Sequence, residues 1–205
     1  MRAAWLAGVL SLACASAHAA EPTPQQIDEL TDAVVQLLPL GQVMESAAAA
    51  DAHWPVQGKV DAVTSEQLVC LRKEMSVDGF RRYKRTEVAD YLRSHNGNLQ
   101  DELRVTRQSA PLMSRIMLAG AAAEGSKEKV DLTAIMREAD ADQLLAMVSL
   151  ARDPKYRDLR ELTGMGDAMS GEGSAKDNHA VGELIAIKAM FHGFKMCNVA
   201  PGALM

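Results

Sequence analysis

The chain has 205 residues, 22 Lys and Arg against 27 Asp and Glu, a formal net charge of −5 and only 4% aromatic residues. This acidity disfavours general nucleic-acid binding, which is usually carried by a basic face on the phosphates. Beyond the first twenty residues no segment reaches the ~18 consecutive apolar residues of a membrane-spanning helix.

Residues 1–20 read as an export signal. Arg2 supplies the charge, Ala3 to Cys14 the apolar run, and Ala17-His18-Ala19 a small-x-small cleavage pattern. Cleavage before Ala20 or Glu21 implies a periplasmic or secreted chain. Lipid anchoring at Cys14 is the lesser alternative, because Ser11 stands where a lipoprotein signal wants a branched apolar residue. Without Arg2 the chain holds 21 basic and 27 acidic residues, a net of −6.

From there the pattern is helical nearly throughout. Thr23-Pro24-Gln25-Gln26 is a capping box with proline in the first turn. Ile27, Leu30, Val34, Leu37 and Leu38 then recur at helical spacing until Pro39 and Gly41 break the run. An Ala-rich helix over about 42–53 stops at Trp54-Pro55. Thr64-Ser65-Glu66-Gln67 is a second capping box, leading to Leu68, Leu71 and Met75. Asp78-Gly79 predicts a turn, after which the basic stretch runs to Asn96-Gly97.

Asn98 begins a helix with Leu99 and Leu103, and Pro111 restarts one carrying Leu112, Met113, Ile116 and Met117. Asp131, Asp140 and Asp153-Pro154 start three more. Residues 164–178, rich in Gly and Ser, read as a flexible loop. Val181, Leu184, Ile187, Phe191 and Phe194 form a regular apolar stripe on the last helix. The expectation is one all-α domain over 21–205, a bundle of about seven or eight helices.

The stretch 142–162, DQLLAMVSLARDPKYRDLREL, resembles a family of small exported all-helical Gram-negative proteins of unknown function. Gln143-Leu144-Leu145-Ala146-Met147, Asp153-Pro154 and Leu159 carry the resemblance. Leu150-Ala151 stand where the family has an aromatic pair, and Tyr156-Arg157 where it has a glycine. The resemblance implies an envelope protein and assigns no catalytic residue.

Cys70 and Cys197 are the cysteines left beyond Cys14, and an even pair in an oxidising compartment predicts a disulfide. Catalytic patterns such as G-x-S-x-G, H-E-x-x-H and a phosphate-binding glycine loop do not occur. His179 and Glu183 stand at i, i+4, but a catalytic zinc takes three protein ligands and no third is evident. His53 and His95 read as cations at helix ends, and His192 as a helix-boundary residue. Met113 and Met117 share a stripe with Ile116, as core residues do. Met165 and Met169, placed in the loop, are the candidates for a soft metal such as copper(I).

The most distinctive stretch is residues 79–95, GFRRYKRTEVADYLRSH. Span 72–93 nets +3 on an otherwise negative chain. Arg81, Arg82, Tyr83, Lys84, Arg85 and Tyr91 make it the candidate contact patch, since Arg and Tyr are enriched at binding hot spots and a positive patch steers an acidic partner. The bland alternative is a solvated helix face with Phe80, Tyr83, Val88, Tyr91 and Leu92 turned to the core. The expected function is non-catalytic binding of an acidic envelope protein without a cofactor, as an inhibitor or immunity protein would act. The other expectation is copper or small-ligand binding at the Met-rich loop.

Overall fold

Two threonines set the start of the described chain's first and third helices. In the computed structural model, which describes residues 21–56, 60–126, 130–166, 175–200 and 202, helix α1 (Pro24–Leu37) opens on a complete Thr23/Gln26 capping box. The Thr23 hydroxyl accepts from the Gln26 N–H at 3.2 Å, and the Gln26 side chain accepts from the Thr23 N–H at 2.8 Å. Thr64 and Gln67 repeat the arrangement at the start of α3 (Ser65–Glu74). Between them lies α2 (Leu40–Ala50).

The remaining helices are α4 (Val77–His95), α5 (Leu99–Ser126), α6 (Leu132–Arg137), α7 (Ala141–Arg152), α8 (Arg157–Thr163) and α9 (Ala175–Met196). Asp131 and Asp140 cap α6 and α7 through their carboxylates, as expected. Single 3₁₀ turns occupy Val60–Ala62, Asn96–Asn98 and Pro154–Tyr156. The described residues contain nine α-helices and no strand, an all-α domain. The expected bundle is of about seven or eight; the two shortest helices, α6 and α8, have six and seven residues.

Helix α1 lies between α4 and α5, α7 covers α5, α2 lies on α4, and α9 lies on α3 and α4. Leu30, Val34, Leu37, Leu71, Phe80, Val88, Leu92, Leu150, Leu159 and Phe194 fill the common core. The buried hydroxyls of Thr31, Thr106 and Ser109 are satisfied within their own helices, each donating to the carbonyl four residues earlier. The Sγ atoms of Cys70 and Cys197 stand 2.04 Å apart, at disulfide distance, joining α3 to the end of α9.

Three expectations are corrected. Pro111 does not restart a helix: it sits inside the single 28-residue α5. A proline can remain in a helix when the surrounding packing offsets the lost hydrogen bond, and buried Ala110 and Leu112 flank it on the core side. Gly79 is no turn residue but lies in the first turn of α4, where it is buried against the Lys73 and Glu74 carbonyls. The chain turns earlier, at Met75–Ser76, and Glu45 from α2 accepts from the Val77 N–H at 2.9 Å. Of the predicted loop 164–178, residues 175–178 belong to α9, and 167–174 lie outside the described residues, as do the export signal 1–20 with Cys14.

Candidate functional site

The basic stretch forms most of α4, and helical spacing decides what each residue meets. Phe80, Lys84, Val88, Tyr91 and Leu92 recur at i, i+4, i+8, i+11 and i+12 and all turn inward. Arg81 and Arg85, four apart, lie over α1, where Asp28 and Asp32 are also four apart. The Arg81 guanidinium donates to Asp32 at 2.6 Å and stands 3.6 Å from Asp28, and Arg85 donates to Asp28 at 2.7 Å. The Arg85 hydrogen bond holds the Asp28 carboxyl below the usual carboxylate range. Arg82 meets Glu74 of α3 at 2.9 Å. Every arginine of the expected patch is thus paired with a carboxylate from another helix, while its side chain stays partly exposed.

Two members of the expected patch are interior. Tyr91 is buried and its hydroxyl donates to Glu102 Oε1 at 2.8 Å. Lys84 is only 4% exposed, because its helical position points it between α4 and α8. Its ammonium donates to Glu87 Oε2 at 2.6 Å and to the Leu162 carbonyl at 3.2 Å, at the end of α8. Arg160 and Arg72 act in the same way. Arg160 donates to the Leu150 and Asp153 carbonyls that end α7, and Arg72 to the Asp51 and Trp54 carbonyls after α2. Cations from neighbouring helices satisfy the orphan carbonyls that helix ends leave behind.

Tyr83 is half-buried. Its hydroxyl donates to Glu87 Oε1 at 2.6 Å and its ring lies 4.5 Å from the His192 ring of α9. Burial, then the Glu87 hydrogen bond, pushes its hydroxyl pKa up. Tyr83, Lys84, Glu87 and Asp90 form one wall of a cleft of about 290 Å³. Glu161, Leu162 and Gly164 form the second wall, and Ile185 and Lys188 of α9 the third. Gly164 ends α8 with φ 82°, and a Cβ there would stand 3.0 Å from Ile185 Cγ1, so glycine permits the close approach of the two walls.

Helix α9 departs most from its sequence pattern. Ile185, Ala189, Phe194 and Cys197 are the buried positions. Leu184, Ile187 and Phe191, expected in a core stripe, point outward and are 50%, 40% and 45% exposed. Lys188 and Lys195 flank them, both exposed. The helix is apolar on two faces, and only one is covered.

A second cluster joins the end of α4 to the start of α5. Glu102 is 3% exposed, Tyr91 occupies its Oε1, and its Oε2 has no hydrogen-bond partner. His95 stacks on Tyr91 at 4.5 Å and stands 3.2 Å from Asp158. Burial raises the Glu102 carboxyl above its usual pKa against the opposing effect of the Tyr91 hydrogen bond, with His95 favouring its charge and Asp101 and Asp158 opposing it. The neighbouring Asp101 is held well below the usual range by Arg104, Tyr156 and Lys155. A raised carboxyl keeps its proton in the folded state at a pH where the unfolded chain has lost it, so its contribution to stability falls as pH rises through the folded pKa. Glu102→Gln, which has no such proton to lose, is therefore expected to lose less Tm than the wild type as pH rises from the acidic side toward neutrality. Parallel pH-melting profiles of the two proteins check it.

Met165 does follow α8 in a non-helical segment, but it is 6% exposed and packed in the core, and Met169 lies outside the described residues. The side chain of His179 also lies outside them. Among the described residues no three of His, Cys, Asp and Glu gather as a metal-holding group. No described helix is by itself long and apolar enough to cross a membrane. Sequence reasoning missed Asp28, Asp32 and Glu161. The i, i+4 spacing of Asp28 and Asp32, equal to that of Arg81 and Arg85, was the available signal for the first two. The chain matches no protein-family model, no curated protein and no solved structure.

Proposed function

We propose that this chain is a non-catalytic exported helical protein that works by binding another protein, as an envelope inhibitor or immunity protein does. The observation that carries the reading is the outer face of α9, where Leu184, Ile187 and Phe191 stand in water at i, i+3 and i+7. That is the spacing with which a helix offers apolar anchors to a partner, and leaving such a stripe in water has a cost that a partner removes. Lys188 and Lys195 beside it favour an acidic partner, a role in which they replace Arg81, Arg82 and Arg85, whose charges are matched within the chain. The export pattern of residues 1–20 and the resemblance of 142–162 support the envelope as the place of action.

The test is capture from envelope extract by the wild-type chain and by Leu184→Asp, Ile187→Asp and Phe191→Asp combined. Capture is expected to fall at least tenfold in the triple variant while circular dichroism and Tm stay near wild type, since all three side chains are exposed. An Arg81→Glu, Arg82→Glu, Arg85→Glu variant is expected to lose stability rather than capture alone. Equal capture by the α9 variant would overturn the reading.

A further inference from the structure

The cleft between α4, α8 and α9 has an uneven charge account. Lys84 and Glu87 satisfy each other at 2.6 Å, and Asp90 is held by Arg93. Glu161 on α8 and Lys188 on α9 line the same cleft from different walls, yet they do not pair with each other, and neither has an ion-pair partner among the described residues. One carboxylate and one ammonium therefore face a shared space without being neutralised. Between them lie apolar Leu162 and Ile185. At the base, Lys84 has three N–H donors and two protein acceptors, Glu87 and the Leu162 carbonyl, so one donor remains.

We propose that this cleft binds a small zwitterion of the α-amino acid class. The ligand carboxylate lies toward Lys188 and the remaining Lys84 N–H, its ammonium toward Glu161, and its apolar side chain on Leu162 and Ile185. Size and charge choose this class. A volume of about 290 Å³ is at the lower end of the roughly 300–1,000 Å³ typical of small-molecule sites, too small for a nucleotide or a large cofactor. A simple anion meets Asp90 and Glu161 on the walls, and a simple cation meets Lys84 and Lys188. Only a molecule with both charges, set a few ångströms apart, satisfies the two free groups together. Burial of Lys84 among the Phe80 and Tyr83 rings, 5.9 and 5.5 Å from its nitrogen, fixes that ammonium in place before any ligand arrives. The proposal shares Lys188 with the partner surface but uses none of Leu184, Ile187 and Phe191, so the two can fail separately.

The experiment is isothermal titration of the mature chain with L-alanine, L-valine, L-leucine, L-methionine and L-phenylalanine. Two analogues of leucine serve as controls, 4-methylpentanoate without the ammonium and 3-methylbutylamine without the carboxylate. At least one amino acid is expected to bind with a Kd of roughly 1 mM or tighter. Where leucine binds, both analogues are expected to bind at least tenfold more weakly. Lys188→Ala and Glu161→Gln, both at exposed positions and so safe for the fold, are each expected to weaken binding about tenfold, while Glu183→Gln leaves it unchanged. Absence of binding by all five amino acids, equal binding by either analogue, or unaltered affinity in both cleft variants would overturn the proposal. Because the α9 triple variant keeps the cleft walls, its retained amino-acid binding separates this site from the partner surface.

Discussion

Gly79→Ala is expected to lower stability by about 3 kcal/mol or more, a drop in Tm of roughly 6–12 °C for a domain of this size. The cause is purely steric. A Cβ at this position would stand 2.2 Å from the Glu74 carbonyl oxygen and 2.4 Å from both the Glu74 carbonyl carbon and the Lys73 oxygen. These are backbone atoms at the end of α3, and they cannot swing aside as a side chain would. Relief requires α3 and α4 to separate, and that motion would disturb the buried Met75, Phe80 and Leu71 around the corner. Gly97→Ala is the matched control, because a Cβ there meets nothing within 4 Å. Thermal unfolding followed by circular dichroism reads both. A Gly79→Ala melt within 2 °C of the control would mean that the helices do not meet as described.

Loss of the Cys70–Cys197 link is expected to have the other large effect. The two residues are 127 positions apart. In the chain-entropy account, closing a loop of that length removes about 5 kcal/mol of unfolded-state freedom, and measured native bridges fall at about 2–5 kcal/mol. A Cys70→Ala, Cys197→Ala double variant is therefore expected to melt roughly 4–20 °C below the oxidised wild type. Alanine is the proper replacement, since serine at the buried Cys197 would add a hydroxyl without an assured partner. Wild-type protein melted in reductant should move toward the variant, and peptide mapping without reductant should recover the two cysteine peptides joined. Identical melts with and without reductant would show that the link contributes nothing to stability.

The fold was legible in the sequence where it depends on local chemistry. Thr23 with Gln26, Thr64 with Gln67, Asp131 and Asp140 are caps that a short stretch of chain determines, and each helix begins where its cap predicts. The pairing of Cys70 with Cys197 followed from parity. What failed depended on contact between helices. Gly79 looked like a turn residue because the backbone of α3 that crowds it is invisible in the local pattern. The α9 stripe looked like core because periodicity shows that a face is apolar, not that a neighbour covers it. At the candidate site, periodicity offered an inner face of Phe80, Tyr83, Val88, Tyr91 and Leu92 only as the alternative to a contact patch that included Tyr91, which is buried. It could not show that Asp28 and Asp32 come from α1 to match Arg81 and Arg85, nor that Glu161 and Lys188 share a cleft with Lys84. Lys84 itself was misplaced because long cationic side chains are normally solvated, and only the Leu162 carbonyl and Glu87 make its burial tolerable.

The C-terminal end of α9 is fastened several times over. Its C-terminal end carries Cys197 and buried Phe194 and Val199, and the Asn198 carbonyl next to them accepts from the Gln67 side chain at 2.9 Å. From Cys197 back to Ala175 the 22-residue helix extends about 33 Å at 1.5 Å per residue. Ile185 and Ala189, further back along the helix, are buried as well. Because the Cys70–Cys197 link encloses 127 positions, a single backbone cut anywhere between them would leave the two fragments in one covalent piece.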